Sequence, residues 1–322
     1  MGNPYTVISV GDLVADLIVE IPELPARANE HQIAHSLRLE PGGAGSFLIA
    51  GARLGMRMQA MGCLGDDLYG RQVIGILRDE GVDVRAVAQP PGSTSTTVLV
   101  LTDDTGEHVF LGVAGHGTTV SLTADCRQEI RRSDALFTYG YALLEEQLAQ
   151  FTREAVQEAH QQGVPVFFDP GPLVAQMPED VWRDSVRRSR VLLLTEDEAC
   201  RMGDGLCGED VVHFLLKMGP ELVVLKRGER GCLVATADQI IETPGFPVPV
   251  RDTAAAGDSF DAAFVYGYLH HYSLSQTAVL ANAMGAAKVQ KMGSGTKVPT
   301  AGELIAVLRQ FGTEVDFPAK GD

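Results

Sequence analysis

The chain has 322 residues, 45% of them hydrophobic and 21% charged, and its 42 acidic against 26 basic side chains give a formal net charge of −16. This is the composition of an ordinary globular protein, and no segment approaches the ~20 apolar residues of a membrane span. So negative a field repels a nucleic-acid backbone or an anionic membrane surface, which leaves small molecules as the expected partners.

The first apolar run is short and broken by Gly11 and Asp12. It lacks the layout of a secretory signal, so a cytoplasmic protein is expected. Met1-Gly2 followed by Thr6 matches the loose acylation pattern, which fixes too few positions to carry weight. The five cysteines, Cys63, Cys126, Cys200, Cys207 and Cys232, are odd in number and scattered, with no C-x-x-C pair. That spacing predicts neither a disulfide framework nor a zinc site, and it fits a reducing compartment.

Apolar runs predict short buried strands over residues 6–10, 57–63, 135–139, 164–169, 191–195 and 221–226. Between or after them, 3.6-residue periodicity predicts helices over 145–162, 178–188, 209–218 and 275–290. Such alternation predicts a doubly wound, mainly parallel α/β sheet with helices on both faces. Residues 33–39 and 96–113 alternate or run β-branched, with a turn at Asp103-Asp104-Thr105-Gly106 and no helix between them. They predict a small β-sheet lid on what is otherwise a single domain over residues 1–322. The tail 312–322 is polar enough to fray.

The most informative stretch is Asp252-Thr253-Ala254-Ala255-Ala256-Gly257-Asp258-Ser259-Phe260, where small residues lead into a helix. Free N–H groups and the helix dipole favour an anion there, and Ala255, Ala256 and Gly257 let a phosphate come close. Asp258 reads in two ways: as a general base taking a proton from an attacking hydroxyl, or as a cap of its own helix. Gly42 and Gly43 precede a second helix and bring backbone close to a ligand or allow a tight turn. Gly203 to Gly208 satisfies G-x-G-x-x-G, but it follows a short helix rather than a strand and reads as a loop. A Walker A pattern is absent, and the eight histidines form no metal-binding pair.

Two segments together resemble the signatures of the PfkB, or ribokinase-like, family of carbohydrate and nucleoside kinases. They are Gly42-Gly43 through Ala50-Gly51-Ala52-Arg53-Leu54-Gly55, and Asp252 through Phe260. Further landmarks of that family follow in order, including Asp169-Pro170, Thr195 to Glu198, Gly228 to Gly231 and Ala281-Asn282-Ala283. The resemblance implies a ribokinase-like Rossmann-type domain with a β lid. It also implies ATP-dependent phosphorylation of a hydroxymethyl group of a sugar or sugar derivative.

Carried over by position, Asp258 is the base and Ala255, Ala256 and Gly257 form the anion hole. Asp16, Gly42, Gly43 and Phe47 face the acceptor; Thr195, Lys226, Gly228, Gly231 and Asn282 face the nucleotide. Glu198 organises Mg²⁺ through water, and Asp252 with the Lys288–Lys297 region resembles part of a monovalent-cation (K⁺) site. Phe47 stands where many sugar kinases of the family have Asn, which keeps a nucleoside in play as the alternative acceptor. Lys226 stands where Thr is common; a lysine ending a strand is more often a solvated surface group. A homodimer paired through the lid edge and a noncatalytic ligand-binding protein of the same fold complete the expectations.

Overall fold

Runs such as Val191-Leu192-Leu193-Leu194 offer water no polar face, so strands made of them must lie in a sheet covered on both sides. A computed structural model, describing residues 4–315 and 317, has that arrangement. The acylation pattern at Met1 and Gly2 and the last residues of the tail, 318–322, lie outside the described residues.

The chain begins with β1 (Thr6–Glu20), β2 (Ser36–Gly43), α1 (Gly45–Arg53), β3 (Arg57–Cys63), α2 (Leu68–Asp79), β4 (Asp83–Ala88), β5 (Thr97–Thr102) and β6 (His108–Val113). It continues through α3 (Ala124–Arg132), β7 (Ala135–Tyr139), α4 (Glu146–Gln161), β8 (Val166–Asp169), α5 (Glu179–Arg188), β9 (Val191–Thr195), α6 (Glu196–Met202) and α7 (Gly208–Leu216). The last third holds β10 (Leu222–Lys226), β11 (Cys232–Ala235), β12 (Ile240–Thr243), α8 (Ala256–Leu269), α9 (Leu274–Val289) and α10 (Ala301–Gln310).

The main sheet has the order β12-β11-β10-β9-β8-β7-β1-β3-β4. It is parallel from β10 to β4, with β11 and β12 antiparallel at one edge. Alternate strand residues face opposite sides. Val7, Phe137, Phe167 and Leu193 join a core with residues of α1, α8 and α9. Their neighbours Ile8 and Leu136 pack with Phe151 and Val156 of α4 on the other side, and Phe168, Leu192 and Leu194 pack there with Trp182 and Val211. The strand order reverses between β1 and β7, and open α/β sheets bind ligands at the carboxyl ends of the strands beside such a point.

β1 is longer than the sequence predicts. Its first half pairs with β3 and β7, and from Leu13 onward it pairs with β2 and β5 to become a central strand of the smaller sheet, β2-β1-β5-β6. Gly11 marks the change. Its φ of +119° suits glycine, and a Cβ there would come within 2.4 Å of the Ala142 Cβ. Gly11 and Asp12 therefore bend the strand without ending it. Helices α2, α3 and α10 and strands β4, β11 and β12 also went unpredicted from the sequence. α3 buries a single residue, Ile130, and β11 and β12 are four residues long, so neither leaves a periodic signal.

Two further expectations are corrected. Cys200 and Cys207 form a disulfide, with Cα atoms 4.9 Å apart across the tight turn between α6 and α7. A spacing of seven residues gives no sequence signal, but the end of one helix and the start of the next bring the two sulfurs together. Phe47, expected to face a ligand, is 0% exposed and stacks on Phe137 at 3.8 Å between ring centroids. The helix face that starts at Gly45 turns this ring into the core between α1 and the sheet. Phe47→Ala should therefore lower stability by about 3–5 kcal/mol in a urea melt, whereas a loss under about 1 kcal/mol would place the ring outside the core.

Candidate active site

In a parallel sheet the strands end on one edge, so their last residues converge. Cys63, Tyr139, Asp169, Thr195 and Lys226, the last residues of β3, β7, β8, β9 and β10, all line one cavity of about 1990 Å³. The smaller sheet supplies another wall, with Asp16, Val98, Val100 and Phe110. Every residue to which the resemblance gives a site role of its own lines this cavity except Phe47.

The amino end of α8 is shaped by its lead-in. Asp252, almost fully buried, accepts the Ala254 N–H at 2.8 Å through Oδ1 and the Gly293 N–H at 2.6 Å through Oδ2. Ala255 is the residue before the helix and takes a left-handed conformation, φ +59°, which costs a non-glycine residue about 1 kcal/mol. The Ala256 N–H closes a turn on the Thr253 carbonyl at 3.1 Å, so that donor is spent within the turn. Gly257 and Asp258 occupy the first turn, where N–H groups have no preceding helical carbonyl to meet.

Asp258 does not cap its helix: Ala255 holds the cap position, with no side-chain cap bond. Its carboxylate instead accepts the Tyr139 hydroxyl. Burial drives the Asp258 pKa up to about 6, and the neighbouring Asp169 adds to the rise, while the Tyr139 bond, Lys226 and Lys288 pull the other way. Burial, then Asp258, raise Tyr139 well above the ordinary phenol range, so it remains the proton donor of the pair.

Lys226 is not the solvated group that its place at a strand end suggests. Its side chain is 11% exposed, and Nζ donates to Asp169 Oδ2 at 2.6 Å and to both Asp261 oxygens at 3.2 Å. Burial works against its charge, but Asp169, Asp261 and Glu198 outweigh burial and hold it protonated. A Cβ on Gly257 would lie 3.5 Å from this ammonium, so Lys226 flanks the amino end of α8. Asp261, three residues past Asp258 on the same helix face, is pushed well above the carboxylate range by burial, with Lys226 opposing.

At the other end, a Cβ on Gly42 would lie 2.2 Å from Asp16 Oδ1, so glycine is required because the Asp16 carboxylate already fills that space. Gly43 follows with φ +56°. Near β10, Gly231 has φ +84°, and a Cβ there would strike the Thr243 carbonyl at 2.1 Å, while Gly228 opens onto free space. Asn282 spends its amide donors on the Thr243 and Pro244 carbonyls, at 3.2 and 3.1 Å, and so holds this wall in place.

Thr195 caps α6. Its hydroxyl accepts the Glu198 N–H at 3.3 Å, and Glu198 Oε2 accepts the Thr195 N–H at 2.7 Å. Burial and then Asp169 raise the Glu198 pKa, against Lys226 and the Thr195 bonds. A carboxylate so short of compensating charge suits a hydrated dication. Among the described residues no three His, Cys, Asp or Glu side chains form a metal cluster, so such a cation would draw its other ligands from water or a bound phosphate.

Tyr139 and Asp261 were given no site role from the sequence, and Lys288 entered only as the start of the 288–297 region set beside Asp252. Only Asp261 carried a usable signal, its three-residue spacing from Asp258.

A family profile described as pfkB family carbohydrate kinase matches residues 5–301. A nucleoside kinase of Methanothermobacter thermautotrophicus is 24% identical, over 95% of this chain and 96% of its own. Fructokinase-1 of Zea mays is 27% identical, over 94% and 98%. Among solved structures, a ribokinase of Arabidopsis thaliana complexed with ribose and ATP superimposes with a TM-score of 0.82 at 23% identity, covering 96% of this chain and 99% of that one.

The raised pKa of Asp258 has a consequence for stability. Below about pH 4 the carboxyl is protonated in both folded and unfolded chains and costs nothing. As pH rises from about 4 to about 6 the unfolded chain ionises first, so the fold loses roughly 3 kcal/mol. Asp258→Asn should therefore melt higher than the parent at pH 7.5, with the gain vanishing toward pH 4.5. A variant less stable than the parent at pH 7.5 would contradict this assignment.

Proposed function

From the premise that the chain belongs to the pfkB family of carbohydrate kinases, and is a phosphotransferase with an alcohol acceptor, we propose that it phosphorylates a hydroxymethyl group of a sugar or sugar derivative with ATP, Asp258 serving as general base. The observation that carries this reading is Asp258 itself. It is a half-buried carboxylate whose pKa is raised to about 6, in the first turn of a helix whose amino end opens on the cavity. A group so placed accepts a proton near neutral pH from a hydroxyl brought to it.

With the Ala256 donor spent, the Ala255 and Gly257 N–H groups of the expected anion hole, joined by that of Asp258, the helix dipole and the fixed charge of Lys226, stabilise the negative charge of the transferring group. Because the phosphoryl transition state is loose, catalysis consists mostly of positioning and charge stabilisation. Asp16 binds acceptor hydroxyls, and Gly42 and Gly43 let the backbone approach them. Thr195, Gly228, Gly231 and Asn282 shape the nucleotide end, and Glu198 holds the water shell of magnesium. When bound there, magnesium neutralises nucleotide phosphate charge.

A nucleoside acceptor is the second reading, favoured by the apolar wall of Val98, Val100 and Phe110 beneath the lid, against which a base can lie. A cytoplasmic setting, where ATP is made, belongs to the same proposal. So does a second copy of the chain at the lid edge, where β6 leaves one side unpaired and exposes Val109, Phe110, Leu111 and Val113. Leu111→Asp should halve the mass seen in sedimentation, and an unchanged mass would remove the lid from any dimer contact.

The deciding measurement is phosphoryl transfer from Mg-ATP to a panel of sugars, sugar derivatives and nucleosides. Turnover should fall as pH drops below about 6, the value to which Asp258 is raised. Asp258→Asn should cut kcat by about 10²–10⁴ with ATP binding retained. Near-parental kcat in that variant ends the case for Asp258 as base. Ligand-induced stabilisation without transfer to any acceptor would instead favour a noncatalytic binding protein.

A further inference from the structure

Lys288 lies in the last turn of α9, and its side chain is 0% exposed. Taking an ammonium out of water is expensive unless opposite charge or hydrogen bonds replace the lost hydration. Its hydrogen bond runs to a carbonyl rather than a carboxylate: Nζ donates to Lys291 O at 3.0 Å. Burial lowers the lysine's pKa to about 8, and attraction to Asp252 and Asp258 opposes that fall.

The surroundings tie this charge to the lead-in of α8. The N–H groups of Arg251 and Asp252 both donate to the carbonyl of Val289, the residue after Lys288, at 2.7 and 3.2 Å. Asp252 in turn clamps Ala254 and Gly293 through its two oxygens. The end of α9 and the turn that sets up the Gly257 and Asp258 N–H groups are therefore one hydrogen-bonded unit. Asp252 already gives one lone pair of each oxygen to a backbone donor, and the buried Lys288 ammonium lies within range of its charge without forming an ion pair with it.

We propose that Lys288 is a built-in monovalent cation: its buried ammonium, held on the Lys291 carbonyl at the end of α9, fixes the 252–255 turn that hangs on the next residue's carbonyl and presents the amino end of α8 to the phosphoryl group, so the reaction needs no free potassium. Lys288 is a positioning residue, since it acts through the turn. The inference rests on the phosphoryl-transfer reading for its kinetic arm, and its structural arm is independent of turnover.

The kinetic test compares the parent in tetramethylammonium buffer with and without potassium chloride, where kcat should change less than about twofold. Lys288→Met should lower kcat by about 10²-fold, the order seen when one stabilising donor is lost, with acceptor KM near the parent value. Lys288→Ala should regain at least about tenfold of the lost kcat on addition of ammonium or potassium, but not tetramethylammonium, a saturable rescue that a purely structural lysine would not show. The structural arm is amide exchange over residues 252–257, which should quicken about tenfold in Lys288→Met while distant strands keep their protection. Potassium activation of the parent by about tenfold or more overturns the proposal, as does absence of rescue in Lys288→Ala. Parental exchange in Lys288→Met also overturns it. If the parent transfers no phosphoryl group, the functional reading fails alone and the exchange comparison still decides whether Lys288 holds the turn.

Discussion

One ammonium, that of Lys226, lets three carboxylates gather at one point, Asp169 and Asp258 on the wall of the cavity and Asp261 fully buried behind it. Asp169, Asp258 and Asp261 crowd the edge where the parallel strands end, and without a fixed positive charge their burial would carry an electrostatic cost of several kcal/mol. Lys226 sits at 2.6 Å from Asp169 and 3.2 Å from Asp261, so the ends of β8 and β10 and the second turn of α8 are joined at one point. That junction fixes where α8 begins relative to the sheet. The cap position, the open N–H groups and the orientation of Asp258 toward Tyr139 follow from it.

What the sequence disclosed and what it hid divide along the range of the interactions. Buried parallel strands announce themselves as apolar runs, and β3, β7 and β9 have the predicted limits, because burial on both faces leaves no choice of residue type. The amino end of α8 was legible from small residues alone, since close approach of an anion needs them. Lys226 was misjudged because its partners are 57 and 35 residues away and nothing local marks the pairing. Phe47 was misplaced for a related reason. A helix beside a glycine-rich turn has one face on the cavity and one on the core, and only tertiary packing assigns the ring. The disulfide and the passage of β1 into the lid were likewise decided by where other elements lie.

On the proposed reading, a chain of net charge −16 that takes a nucleotide polyphosphate must confine its positive charge to one place. It does so with buried rather than surface groups. Lys226 and Lys288 approach the lead-in and first turn of α8 from a strand end and from a neighbouring helix, and both are shielded from the salt that would screen an exposed cation. Because the interior is less polarisable than water, each charge acts more strongly over the few ångströms that matter.

The passage of β1 through both sheets has a mechanical meaning. Asp16 lies beyond the Gly11 bend, on the half of the strand that belongs to the lid, whereas the residues before the bend are locked between β3 and β7. The carboxylate proposed to bind the acceptor is thus carried by the small sheet, and the passage from one sheet to the other falls at a single glycine in the same strand. Any displacement of the small sheet as a unit would therefore carry Asp16 with it and change its distance from the residues that end β7, β8, β9 and β10.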